Sequence, residues 1–142
     1  EEISEEENLP KNIEMGPKTD FGWEVYPPGL YDLLVKLKKE YCVEAIFITE
    51  NGCSYSDAPN EENKIKDQRR IDYHHTHLIE IQKAINDGVD CKGYFAWSLM
   101  DNFEWAQGFS QRFGLVWVDF ESLDRIPKES YHWYKNYISN NK

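Results

Sequence analysis

Helix-like and strand-like segments alternate along the 142 residues in the order helix, strand, helix, strand, hairpin, helix, which predicts an α/β fold around a parallel sheet. Three observations carry that expectation. Residues 45–49 and 93–98 are apolar runs without polar alternation, the pattern of strands buried on both faces. Segments with apolar residues at helical spacing precede and separate the two runs. Glu50 ends the first run and is followed by the turn signal Asn51-Gly52. A carboxylate at the end of a buried strand is costly unless it faces a polar cleft. In barrels of alternating strands and helices the site lies at the C-terminal strand ends. Glu50 therefore stands where a reacting group would stand, although an acidic residue opening a loop is also ordinary.

The elements follow in order. Residues 1–22 are polar, with Pro10, Gly16, Pro17 and Gly22, and read as an arm or loop. Pro28 suits the first turn of a helix. Leu30, Leu33, Leu34, Leu37 and Tyr41 share one face of it, with Lys36, Lys38 and Lys39 opposite. The 45–49 strand follows, then a polar loop over 51–66. Asp67 is placed to cap a second helix. Ile71, His74 or His75, Leu78, Ile81 and Ile85 form its expected apolar face, and Asn86-Asp87-Gly88 ends it. The 93–98 strand leads into an aromatic and acidic loop over 99–112. Residues 113–120 read as a further strand, with 123–125 in a connection. Pro127 sets up a last helix, which packs through Tyr131, Tyr134 and Ile138. Two parallel strands close nothing, and a complete eight-stranded barrel takes about 250 residues. The chain is thus expected to be one partial domain over 1–142, its last βα units running over 23–142.

Composition narrows the function. The formal net charge is −10, and Glu1, Glu2, Glu5, Glu6 and Glu7 supply half of it. No basic stripe exists to neutralise phosphates, which argues against nucleic acid as a partner. No stretch reaches membrane-span length, so no membrane partner is expected. Cys42, Cys53 and Cys91 are widely spaced and form no ligand motif, which fits reduced thiols in a cytoplasmic protein. His74, His75 and His77 crowd one helix without an HExxH arrangement, so packing rather than metal binding is expected there. No cofactor is called for. Five Trp and nine Tyr suit dense packing or the stacking of flat apolar faces such as those of sugars.

The second strand and its loop read Gly93-Tyr94-Phe95-Ala96-Trp97-Ser98-Leu99-Met100-Asp101-Asn102-Phe103-Glu104-Trp105. Together with Ile48-Thr49-Glu50-Asn51-Gly52, this resembles the C-terminal part of glycoside hydrolase family 1, the β-glucosidase family. The likeness extends to Thr19 through Pro27, to Asp67 through Tyr73, to Arg112 through Asp119, and to Pro127-Lys128 and Tyr131 through Tyr134. The resemblance implies a TIM (β/α)8 barrel of which this chain supplies about strands seven and eight with flanking helices. It implies that Glu50 is the catalytic nucleophile and Trp97 the platform beneath the sugar. It also implies that Glu104 holds hydroxyls of the terminal glucose, and that Trp105 and Phe113 line the same subsite.

The residue types suit those roles. A retaining glycosidase uses one carboxylate as nucleophile and a second, about 5–5.5 Å away, as acid and then base. A sugar's CH-rich face needs an aromatic wall, and its hydroxyls need acceptors such as Glu104. Each aromatic could instead be a packing anchor, and Asp101 and Asn102 are expected to pin the loop rather than bind ligand. Relatives that act on phosphorylated glucosides resemble the chain elsewhere but lack the acid at position 104, so Glu104 favours unphosphorylated sugars. The family's acid/base glutamate sits in a Thr-x-Asn-Glu-Pro motif absent here, and Asn60-Glu61 does not replace it. The expectation is therefore a retaining β-glucosidase acting on β-glucosides or cellobiose-like substrates once the missing N-terminal part of the barrel is supplied, and inactive alone. The alternatives are a non-catalytic sugar-binding or assembly fragment, or a β-galactosidase, β-fucosidase or phospho-β-glucosidase of the same family.

Overall fold

A computed structural model of the chain describes residues 16–140, so most of the expected polar arm, residues 1–15, lies outside the described residues. Helix α1 spans Pro28–Tyr41, strand β1 Ile46–Asn51, helix α2 Gln68–Asn86 and strand β2 Cys91–Ala96. A 3-10 turn covers Trp105–Gln107, strands β3 and β4 cover Val116–Val118 and Arg125–Pro127, and helix α3 covers Glu129–Asn140. Strands β1 and β2 pair in parallel, with α2 as the crossover. Strands β3 and β4 form a separate antiparallel hairpin. The order of elements is the one the sequence predicts. The 113–120 strand is shorter than expected, and the 123–125 connection ends in β4 at Arg125.

Helix α1 starts on Pro28 and stops at Cys42, whose φ of 53° is left-handed. Its Leu34 meets Leu78, Ile81 and Ala84 of α2 and Val89 in one core, against which Ile46, Ile48 and Tyr94 of the strands pack. Burying a leucine fully stabilises by about 1.5–3 kcal/mol, so this cluster anchors the two helices to the sheet. The packing face of α1 differs from the expected one: Leu33 and Tyr41 are exposed, and Tyr31 and Val35 join Leu30 and Leu34 against the core instead, because the stripe that meets the neighbouring elements is narrow.

Four other expectations need correction. The strands are not covered on both faces: the helices pack on the Ile46, Ile48 and Tyr94 side, whereas Phe47 and Phe95 on the other are 58% and 56% exposed. No described element lies over that second face. The packing face of α2 runs through Arg70, His74, His77, Leu78, Ile81 and Ala84, while His75 and Ile85 are exposed. Asp67 sits at the N-cap but its carboxylate does not cap; it turns to Arg70 and Ser130 instead. On α3, Trp133 and Tyr137 reach the core, whereas Tyr131, Tyr134 and Ile138 line an open apolar groove beside β2.

Candidate active site

Glu50 and Asn51 end β1, and Trp97 directly follows β2, so the two parallel strands deliver them side by side. The Trp97 N–H donates to the Asn51 carbonyl at 2.9 Å and closes the gap between the strand ends. Gly52 follows, and a side chain there would collide with the Trp97 carbonyl, so the close approach requires glycine. The register is irregular at this end. Ile48 faces Tyr94 and Asn51 faces Ala96, so three steps along β1 match two along β2. The extra residue is a bulge at Thr49–Glu50, a device that re-aims side chains beside active sites.

A cleft of about 610 Å³ opens over these strand ends. It is lined by Glu50, Trp97, Glu104, Trp105 and Phe113, together with Trp23, Asn51, Gly52 and Tyr73. The five residues singled out from the sequence therefore share one cavity. Trp97 Nε1–H donates to Glu104 Oε1 at 3.3 Å, which joins an indole and a carboxylate on the wall of the cleft. Trp105 begins the 3-10 turn with φ of 47° and stands 84% exposed at the rim. Phe113 is buried, its ring 5.8 Å from that of Trp23 and 6.2 Å from that of Phe21. The Glu50 carboxylate is exposed in the cleft, and among the described residues none donates a hydrogen bond to it.

Two buried ionic clusters hold the loops around the cleft. Arg70, fully buried on α2, donates to the carbonyls of Cys53, Phe113, Tyr55 and Arg112 and to Asp67 Oδ2. It ties the loop after Glu50 to the segment that carries Phe113. Asp67 also accepts from the Ser130 N–H and hydroxyl, which fixes α3 to the start of α2. Asp101 accepts from Lys128 at 3.1 Å, from Arg112 at 2.7 Å and from the Gly114 N–H at 2.9 Å. It pins the loop that leads to Glu104. Burial pushes the Lys128 amine down to about 8, against the pull of Asp101.

A third network lies behind Glu50. Tyr94 Oη–H donates to Asn51 Oδ1 at 2.8 Å, and Asn51 Nδ2 reaches Tyr73 Oη at 3.4 Å. His74 Nδ1 lies 2.7 Å from Tyr94 Oη. His74 Nε2 is buried without a partner, so the neutral ring carries its proton on Nδ1, which donates to the tyrosine oxygen. Burial, with Arg70 and His77 nearby, pushes the His74 imidazole down to about 3 and keeps it neutral. Burial also raises Tyr73 to about 12 and Tyr94 further.

Trp23 and Tyr73 were not singled out from the sequence. Trp23 lies before the first helix and Tyr73 inside the second, so neither neighbours a strand end in sequence. A Trp after a Gly in a loop was the available signal for the first. Among the described residues, no cluster of His, Cys, Asp or Glu is arranged to hold a metal ion, and no helix is long and apolar enough to cross a membrane.

Parallel βα units with two carboxylates and three indoles around a cleft at the strand ends match the class of barrel glycoside hydrolases. The family model described as Glycosyl hydrolase family 1 matches residues 2–142, and the chain belongs to that family. It is 50% identical over 125 residues to beta-glucosidase A of Thermotoga maritima, covering 88% of this chain and 28% of that protein. It is 48% identical over 129 residues to beta-glucosidase A of Acetivibrio thermocellus, covering 91% of this chain and 29% of that one. A 6-phospho-beta-galactosidase of Staphylococcus haemolyticus is 50% identical over 121 residues, covering 84% of the chain and 26% of the relative. The solved family 1 β-glucosidase of T. maritima in complex with isofagomine lactam superposes with a TM-score of 0.88 at 47% identity, over 94% of this chain and 30% of that structure. The chain thus spans less than a third of the length of these relatives.

Proposed function

We propose that this chain forms about strands seven and eight of a (β/α)8 barrel that acts as a retaining β-glucosidase. The carrying observation is that Glu50, Trp97, Glu104, Trp105 and Phe113 line one cleft at the C-terminal ends of two parallel strands. Glu50 is the nucleophile. One of its carboxylate oxygens bonds to the anomeric carbon as the bond from that carbon to the leaving-group oxygen breaks. A carboxylic acid from the part of the barrel outside this sequence gives its proton to the departing oxygen, then takes one from the water that frees the sugar. Trp97 supplies the platform under the ring. Glu104, oriented by the Trp97 Nε1–H, accepts from sugar hydroxyls. Trp105 and Phe113 wall the same subsite.

The substrate class is a terminal, unphosphorylated β-D-glucoside. A phosphate on the sugar's O6 would meet the Glu104 carboxylate, and like charges at short range repel. The exposed Phe47 and Phe95 face, the unpaired strand edges and the groove beside β2 favour a partner that completes the barrel. The chain by itself is inactive in this reading. The test is to co-express it with the complementary segment of the barrel and to assay nitrophenyl β-D-glucoside. Turnover that disappears in Glu50→Gln is expected. Sugar binding without turnover would replace this reading with a non-catalytic module.

A further inference from the structure

We infer that the chain His74–Tyr94–Asn51–Tyr73 is a positioning device for Glu50, and that Asn51 is the residue through which it acts. The inference rests on the assignment of Glu50 as nucleophile and adds how its carboxylate is aimed. The bulge at Thr49–Glu50 interrupts the regular pairing of β1 with β2 where Glu50 stands. Ladder pairing alone therefore does not fix the backbone there. Asn51, the next residue, is held at three points: its carbonyl by the Trp97 N–H at 2.9 Å, its Oδ1 by Tyr94 at 2.8 Å, and its Nδ2 toward Tyr73 at 3.4 Å.

The direction of the chain matters. Tyr94 has a single proton to give; His74 Nε2 is buried without a partner, so the neutral ring carries its proton on Nδ1, 2.7 Å from Tyr94 Oη, which leaves the tyrosine proton no acceptor but Asn51. His74 thus sets the tyrosine's orientation from the buried face of α2. The helix is in turn fixed to the neighbouring loops by Arg70, one turn earlier. The whole path runs from the helix layer to the bulge beneath the nucleophile. A shift of about 1 Å in a reacting group can cost a hundredfold in rate, so a three-point hold on the adjacent residue has kinetic weight.

The test uses the barrel reassembled from this chain and its complementary segment, with nitrophenyl β-D-glucoside as the probe. Functional sites are counted by labelling to completion with a fluorinated dinitrophenyl glucoside, whose end point does not depend on the rate of attack, so that misfolded protein does not enter kcat. Tyr94→Phe is expected to lower kcat per counted site about tenfold, with KM within about twofold. Asn51→Ala is expected to lower it further. The double variant is expected to be no slower than Asn51→Ala, because Tyr94 acts through Asn51. A purely structural role would reduce the number of counted sites and leave kcat per site unchanged, and that result overturns the inference. Should Tyr94→Phe not accumulate, Asn51→Ala alone is read the same way: unchanged kcat per site overturns the inference and a fall in it supports the inference. If the unsubstituted barrel is inactive, or Glu50→Gln is fully active, the assignment of Glu50 fails instead, and the two failures are told apart.

Discussion

Replacing Arg70 with lysine keeps the positive charge and removes the guanidinium fork. Arg70 donates to five acceptors, four backbone carbonyls and the Asp67 carboxylate, through three nitrogens that point in different directions. A lysine ammonium has three donors on one nitrogen. The Phe113 and Arg112 carbonyls keep the Ser98 and Tyr55 N–H groups and Asp67 keeps Ser130, so the loss falls on the Cys53 and Tyr55 carbonyls, which have no other donor among the described residues; Arg70 is 0% exposed, so water does not take over. Each buried acceptor left unpaired costs about 1–3 kcal/mol, which gives about 2–6 kcal/mol in all. That loss loosens the two segments the fork joins, around Cys53–Tyr55 and around Arg112–Phe113. Hydrogen exchange of the reassembled barrel, followed by mass spectrometry, reads local opening there. At about 1.4 kcal/mol per factor of ten, exchange in those segments should accelerate at least about thirtyfold. Exchange within about fivefold of the unsubstituted barrel would refute the reasoning that the fork, rather than the charge, holds the loops.

Three other outcomes are expected. His74 is neutral in the fold, with its pKa pushed to about 3 from 6.5, so between those values the unfolded chain binds a proton that the folded chain does not. Stability then rises with pH across that window and is lost as pH falls through it, by up to about 1.4 kcal/mol per pH unit. Denaturant titrations of the reassembled barrel at stepped pH should show that slope, and His74→Gln should flatten it; an unchanged slope would exonerate His74. Glu104→Ser is expected to lower kcat/KM for nitrophenyl β-D-glucoside by about a hundredfold while raising the relative rate on the 6-phosphorylated substrate, and a uniform loss on both would show that the carboxylate does not discriminate. The isolated chain is expected to self-associate through the face that carries Phe47 and Phe95, which sedimentation velocity tests; a monomer with a sharp cooperative melt would contradict this.

Much of the fold was legible because its signals are local. Pro28 opens α1, Asp67 and Asn86 bracket α2, and two apolar runs mark the parallel strands. Glu50 and the motif after Gly93 pointed to the cleft through strand-end position and resemblance, and both do line it. Less legible were features set by distant partners. Arg70 carries no signal of its own in the sequence beyond its place in the matched stretch, because its carbonyl acceptors lie 15 to 43 residues away and only the fold brings the four of them to it. His74 and His77 are buried for the same reason, displacing the expected Ile85 from the packing face. The apolar alternation-free strands were read as covered on both sides. Among the described residues only the helix-facing side is covered, since apolarity records what a strand is built to meet.

The assignment of Glu50 is tested most directly by covalent capture. The reassembled barrel is incubated with a fluorinated glucoside that carries a dinitrophenyl leaving group, then digested and sequenced by tandem mass spectrometry. The sugar mass is expected on the peptide that contains Glu50, at that carboxylate. Label on Glu104, or on any residue other than Glu50, would contradict the account.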